Sequence, residues 1–146
     1  MKYNIVIREF KESDTPVLAN LMIELGYPTT CLEMMERLQN IHANPDYKTL
    51  VAESSHKVIG MMGMLKIYFW EQNKCYVKIQ ALVVKKETRK HGVGELLVKG
   101  AEKWAKQINA TSLALTCGNK PERNDAHFFY LKRGFINKSV GYIKPV

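Results

Sequence analysis

The chain has 146 residues, a length that fits one domain, and 46% of them are apolar, which is enough for one sizeable core. Its longest uncharged apolar run, residues 58–65, is far shorter than the roughly 20 residues that a membrane-spanning helix needs. The charges at Lys2 and Arg8 argue against a signal peptide. We therefore expect a cytoplasmic protein with no membrane partner. The net charge of +8 is uneven: residues 1–73 hold 7 Lys and Arg against 9 Asp and Glu, whereas residues 74–146 hold 15 against 5, which suits a polyanionic ligand on the second half.

Two other classes of partner find no support in the sequence. Nucleic acid would fit the positive charge, but the lysines are scattered over several predicted elements and no helix-turn-helix, zinc-knuckle or RNP-type signature is present, so we expect no nucleic-acid partner. The three cysteines lie more than 40 residues apart, which suits neither a metal site nor a disulfide framework. We therefore expect no metal, and reduced thiols that are mostly buried.

The beginning of the chain predicts a strand and a helix. Alternating apolar residues predict the strand over 3–8. A helix then begins after Ser13 or Asp14, has Pro16 in its first turn and ends at Gly26.

A second helix follows, because Thr30 and Glu33 have the spacing of a capping box. We expect a turn over residues 42–48 after it. The apolar residues expected on its core face are Leu32, Met35, Leu38 and Ile41.

Three strands come next, predicted from apolar runs over residues 49–54, 57–69 and 75–84. Polar turns at 54–57 and 72–74 separate them. Short connections of this kind predict antiparallel neighbours.

A basic turn leads from the third of these strands through Gly92 and Gly94 into a helix expected over residues 93–108. The N–H groups at the start of a helix form an anion site, and a phosphate can approach the main chain closely where glycine carries no Cβ. Arg89 and Lys90 would add positive charge. The turn therefore predicts a phosphate site, although a plain strand-to-helix turn that uses glycine remains the alternative.

Two familiar phosphate-binding motifs do not fit this turn. A Walker A loop needs Lys-Ser or Lys-Thr after its last glycine, whereas Gly94 is followed by Glu95 and Leu96. A dinucleotide-binding fingerprint needs a third small residue at the position that Leu97 occupies.

The C-terminal part predicts a strand near Leu113, a helix ending near Lys132 and a last strand around 140–143. Residues 89–94 meet the pattern Gln/Arg-x-x-Gly-x-Gly/Ala, and residues 130–135 read Tyr-x-x-x-Gly-Phe. With these two motifs in this order, the chain resembles the GNAT superfamily of N-acetyltransferases. The resemblance implies a single domain over 1–146 of the α/β (α+β) class, with a mixed, mostly antiparallel sheet flanked by helices in the order β-α-α-β-β-β-α-β-α-β.

The resemblance also implies a function. It is the transfer of an acetyl group from acetyl-CoA, bound as cosubstrate, to a primary amine of a small molecule or protein, by direct attack in a ternary complex. The acceptor site of such proteins is built by the segments that correspond here to residues 26–41, 68–71 and Tyr142. The net charge of −2 in the first half mildly suits a cationic amine, and small members often pair as homodimers.

The resemblance assigns cofactor binding mainly to main-chain groups. The strand before the glycine turn would polarise the acetyl carbonyl through a backbone N–H and pair with the pantetheine arm. The residues implied are Leu82, Val83, Val84, Arg89, Lys90, His91, Gly92, Val93 and Gly94, with Asn119 or Asn124 as the amide that contacts the coenzyme.

Tyr130 is the catalytic residue that the resemblance implies, as the acid that protonates the departing thiolate; the alternative is an aromatic residue that only packs. The base stays open. Gln80 occupies a position where several members carry a glutamate, and an amide cannot take a proton. Water or Glu53, Glu71 or His127 could serve. Gln80 also supports an alternative function, a catalytically weak acyl-CoA-binding module acting as sensor or scaffold.

Overall fold

The computed structural model describes residues 4–118 and 121–146, which form two compact units, one up to Ala114 and one from Leu115. The strands are β1 (Ile5–Glu9), β2 (Tyr47–Ser54), β3 (Lys57–Tyr68), β4 (Cys75–Val84) and β5 (Leu113–Leu115), and the helices are α1 (Thr15–Leu25), α2 (Cys31–His42), α3 (Val93–Gln107) and α4 (Asn124–Lys132).

The strands form one sheet in the order β1-β2-β3-β4-β5. The first four pair antiparallel with their neighbours. Next to β5, the N–H of Val77 donates to the carbonyl of Ser112 at 3.0 Å, and the N–H of Thr111 donates to that of Cys75 at 2.9 Å. The predicted class, a mostly antiparallel sheet flanked by helices, is confirmed.

Local signals place the first two helices correctly. Gly26 ends α1 in the left-handed conformation with φ of 106°, which an L side chain rarely adopts. At the start of α2 the N–H of Glu33 donates to Thr30 Oγ1 at 3.1 Å, and the N–H of Thr30 donates to Glu33 Oε1 at 2.9 Å. The predicted capping box is therefore present.

The predicted core face of α2 is wrong in part. Met34 and Leu38 are the buried residues of this helix, whereas Leu32 is 70% exposed and Met35 is also exposed. Met34, Leu38 and Ile41 follow the same helical spacing as the predicted set. Periodicity alone could not choose between two overlapping apolar stripes, and packing against α1 and the sheet selected this one.

The predicted last strand over 140–143 is also wrong, so the order of elements ends with α4. Residues 136–146 have no helix or strand, and Val140 and Ile143 are 76% and 95% exposed. Apolar alternation stabilises a strand only where a neighbour pairs with it and one face is buried. Neither condition is met there.

Two layers of helices enclose the sheet. Val51 packs in one core cluster with α1 and α2, whereas a Cβ built on Gly100 of α3 would lie 2.9 Å from the neighbouring residue of β2, Leu50. Because adjacent strand residues face opposite sides, α3 lies on the other face from α1 and α2. The missing side chain at Gly100 lets α3 approach the sheet closely.

The cysteines only partly follow expectation. Cys75 is buried and Cys117 half-buried, but Cys31 is exposed at the start of α2. In the described ranges, no helix is both long enough and apolar enough to cross a membrane.

Candidate functional site

The turn that joins β4 to α3 is anchored to the body of the first unit. The Thr88 hydroxyl donates to the carbonyl of Lys85 at 2.8 Å and is buried. Glu24 of α1 accepts a hydrogen bond at 3.0 Å from the N–H of Lys86. These contacts fix the path of the chain before the glycines.

The two glycines lie at the beginning of α3. Gly92 is its N-cap with φ of 84°, and apart from its chain neighbours and the backbone of the helix itself, no described residue has an atom within 4 Å of the place a Cβ would occupy. Lys90 also has positive φ, 67°, and is exposed. The first-turn N–H groups, including those of Val93 and Gly94, lack intrahelical acceptors by the geometry of any helix. The turn thus presents main-chain donors beside open space.

Arg89 adds a charged side chain to this turn. Its Nε donates to the carbonyl of Val84, the last residue of β4, at 3.2 Å. Arg89 is an exposed residue. His91 is exposed in the same turn. The expected basic groups therefore gather where the strand meets the helix.

At the end of β4, the main-chain N–H and C=O groups point alternately toward β3 and away from it. The N–H of Lys85 donates to Ile59 of β3 at 2.8 Å. In an antiparallel pair, N–H and C=O groups of successive residues point to opposite sides. The N–H groups of Leu82 and Val84 consequently point away from β3, and the Arg89 bond to the Val84 carbonyl agrees with this. Val83 is 2% exposed, with its side chain in the core.

A β-bulge interrupts β4, which the sequence did not reveal. Ile79 pairs with Met64 and Ala81 with Gly63, so Gln80 is an extra residue in β4. Gln80 is exposed. A bulge shifts the alternation of the strand by one residue, and it brings the N–H of Leu82 to the same edge as the N–H of Val77.

The candidate bases differ in their surroundings. Glu53 accepts a hydrogen bond from Arg8 Nε at 3.0 Å, two strands away from β4, so its carboxylate is already engaged. Glu71 is exposed in the turn between β3 and β4. In the second unit, His127 Nε2 lies 2.7 Å from the carbonyl of Gly118, which only accepts, so Nε2 carries the proton.

Tyr130 lies in α4, and the motif around it is a helix-ending structure. The N–H of Phe135 donates to the Tyr130 carbonyl at 3.1 Å and that of Gly134 to Leu131 at 3.2 Å, a Schellman motif with Gly134 at φ of 91°. The Tyr130 ring packs edge-on against Phe129 and Phe135. Burial, with a smaller effect of Cys117, raises the pKa of Tyr130.

The two candidate asparagines are not equivalent. Asn124 is the first residue of α4 and is exposed. Asn119 lies outside the described residues. In the part of the chain that the structure describes, no group of three or more His, Cys, Asp or Glu residues could hold a metal ion.

Comparison with known proteins gives the family context. A sequence profile of the Acetyltransferase (GNAT) family matches residues 15–135. A GNAT family acetyltransferase from Staphylococcus aureus is 33% identical, with a TM-score of 0.84 over 97% of this chain and 98% of that one.

More distant solved structures share the fold. Glucosamine-6-phosphate N-acetyltransferase from Arabidopsis thaliana is 22% identical, with a TM-score of 0.81 over 97% of this chain and 98% of that one. An aminoglycoside acetyltransferase from an uncultured soil metagenomic sample is 14% identical, with a TM-score of 0.78 over 98% and 99%.

Proposed function

The chain belongs to the GNAT family of acetyltransferases, and on that premise we propose that it transfers an acetyl group from acetyl-CoA to a primary amine by direct attack in a ternary complex. The observation that carries the proposal is the open turn at Gly92, where α3 begins beside the end of β4. A Cβ there would stand in the space that a phosphate needs. The residues present therefore fit the pyrophosphate of coenzyme A.

The chain binds the phosphates in two ways, through side-chain charge and through main-chain N–H groups. Arg89 and Lys90 neutralise phosphate charge, while the N–H groups of Gly92, Val93 and Gly94 donate to the phosphate oxygens. Acetyl-CoA, when bound, supplies an activated acetyl group and a thiol as leaving group. The N–H of Leu82, which points away from β3, polarises the acetyl carbonyl.

Tyr130 is proposed as the acid for the leaving thiolate. A thiol of this kind has a pKa of about 8.5, so a weak acid suffices. Burial raises the pKa of Tyr130 above its usual value of about 10. Its hydroxyl therefore carries a proton throughout the neutral and mildly alkaline range, as a proton donor must.

Deprotonation of the acceptor amine falls to solvent in this proposal. Removing a proton from an amine of pKa about 10 at pH 7 costs about 4 kcal/mol. Gln80 accepts no proton, and Glu53 is held by Arg8, but either water held by Gln80 or bulk solvent suffices for a moderate rate. Two relatives support an amine acceptor. The Arabidopsis protein is a glucosamine-6-phosphate N-acetyltransferase, and the soil protein is an aminoglycoside acetyltransferase.

A second function rests on the same site. With Gln80 on the bulge in place of a carboxylate, the domain would bind acyl-CoA as a sensor or scaffold and transfer the acetyl group very slowly. The two functions predict the same acetyl-CoA binding and differ in turnover with amines.

Calorimetric titration with acetyl-CoA tests the site without knowing the acceptor. We expect micromolar binding by the wild type and none by Gly92→Glu, because a carboxylate would occupy the phosphate position. Gly92→Ala separates the cost of a Cβ and of backbone strain from the effect of charge, and it should weaken binding without abolishing it. Gln107→Glu places the same charge at the other end of α3, about 22 Å away at 1.5 Å per residue, and should bind like the wild type. Equal affinity of Gly92→Glu and wild type would overturn the assignment.

A further inference from the structure

The odd-numbered side chains of β4 face one helix layer before the bulge and the other layer after it. After the bulge, Ala81 and Val83 pack in the cluster formed with α1 and α2. Before it, Cys75 contacts the other layer, since its Sγ lies 3.8 Å from the carbonyl of Ile108, just beyond α3. By alternation, Tyr76 and Lys78 therefore face the α1–α2 side.

Lys78 has apolar and aromatic neighbours on that face. Its cross-strand partner is Leu65, which in turn pairs with Tyr47 of β2. The ring of Tyr76, two residues earlier on β4, packs at a tilt against that of Phe69, with 5.0 Å between the ring centres. All of these residues are half-buried, so the stem of Lys78 lies among apolar and aromatic side chains.

Among the residues that the structure describes, no carboxylate is paired with Lys78. The ion pairs found in the described ranges leave it out, whereas two other lysines of the sheet have partners: Lys48 binds Glu9, and the Lys66 ammonium lies 4.7 Å from the centre of the Tyr68 ring. A lysine whose stem lies among apolar side chains, and whose ammonium has no carboxylate beside it among the described residues, is suited to bind an anion from outside the chain.

Lys78 also lies close to the proposed reaction centre. It precedes Gln80 by two residues and Leu82 by four. Because the bulge adds a residue without lengthening the strand, Lys78 and Leu82 lie opposite β3 residues that are three apart, about 10 Å at about 3.3 Å per residue. Part of that distance is spanned by the long lysine stem. A small acceptor bound on this face can therefore meet the ammonium at one end and the acetyl group at the other.

We propose that Lys78 determines acceptor specificity by binding a carboxylate or phosphate carried by the amine substrate. The inference rests on the proposed acetyl transfer. It assigns the acceptor to compact, anion-bearing amines, such as amino acids or amino sugar phosphates. The net charge of the first half suggests a preference for cationic amines. The proposed contact with Lys78 predicts the opposite preference, because the charge nearest the acceptor determines which acceptor binds.

Matched amine pairs test this specificity. Acetylation rates are measured for an amino acid against its amide and for glucosamine-6-phosphate against glucosamine. The wild type should show at least tenfold higher kcat/KM for the anionic member, Lys78→Gln should bring the ratio near one, and Lys78→Glu should invert it. Lys66→Gln, on the opposite face of the sheet, is the control and should keep the wild-type ratio.

The outcomes separate the two claims. Calorimetry with acetyl-CoA is run on each variant, which also shows that the variant is folded. If the wild type binds no acetyl-CoA, the proposed function fails and this inference fails with it. If acetyl-CoA binds but the wild type prefers neutral or cationic amines, acetylates no member of the pairs, or keeps its preference in Lys78→Gln, the inference alone is overturned.

Discussion

At the scale of single residues, the two sequence motifs have separate physical roles. Gly92 allows a left-handed turn beside open space, while Gly134 ends α4 and brings Phe135 back onto the Tyr130 ring. Both positions could be predicted because backbone conformations with positive φ strongly favour glycine. The role of Tyr130 could not, since aromatic residues at helical spacing usually pack. It stays a prediction.

Replacing Tyr130 by Phe removes the proposed proton donor and leaves the ring contacts in place. We expect kcat to fall about 100-fold, the lower range for a general acid, with little change in acetyl-CoA affinity. Because its pKa is raised, Tyr130 should keep its proton across the neutral and mildly alkaline range, where the rate should rise with pH as the amine loses its proton. The kcat–pH profiles of both proteins check this.

A variant with wild-type kcat would show that Tyr130 only packs. Its melting temperature and its calorimetric titration with acetyl-CoA serve as the controls for folding and binding.

At the scale of elements, one buried ion pair connects the first strand to the first helix. Arg8 of β1 donates to both carboxylate oxygens of Asp14, at 2.8 and 3.0 Å, and Asp14 also accepts from the N–H of Lys11. The hydrogen bonds from Arg8 hold the pKa of Asp14 below its usual value. The Asp14 side chain is 8% exposed, so losing the pair leaves Arg8 without its main partner in a partly buried setting.

Asp14→Asn should therefore lower the free energy of unfolding by about 3 kcal/mol at pH 7. Since the folded-state pKa is depressed, the stabilisation is complete above the unfolded value of about 3.9 and is lost as pH falls through the folded value. Urea unfolding at pH 7 and at several values below 4 should show the gap to wild type narrowing with acid.

The exposed pair of Glu9 and Lys48 provides the comparison. Glu9 is 69% exposed, and surface pairs contribute little to stability. Glu9→Gln should unfold almost like the wild type. A loss for Asp14→Asn no larger than that for Glu9→Gln would contradict the structural role of the buried pair.

Elements were predictable where local chemistry determines them, and less so where packing decides. The capping box of α2 and the turn at Gly26 follow from side-chain and backbone geometry. The bulge at Gln80 was hidden because apolar residues continue at odd positions on both sides of it, although these positions face opposite layers. The core face of α2 was ambiguous for a similar reason.

At the scale of the whole molecule, the element order through α4 and the sheet were predictable from periodicity together with the two motifs. The last strand was not, because a strand depends on a neighbour that the sequence does not specify. The positive charge lies in the half of the chain that contains both motifs, and the polyanionic ligand expected there stays a prediction. The local setting of one residue, Lys78, gives a more specific prediction about the acceptor than this global charge does.

The central claim is direct acetyl transfer to an amine, and two-substrate kinetics test it most directly. Release of the coenzyme A thiol is followed at varied concentrations of acetyl-CoA and of the best amine from the matched pairs, with the N-acetyl product identified by mass spectrometry. A ternary complex predicts amine-dependent release and double-reciprocal lines that intersect. Parallel lines would indicate a covalent acetyl-enzyme, and thiol release that ignores the amine would show that the chain is not an N-acetyltransferase.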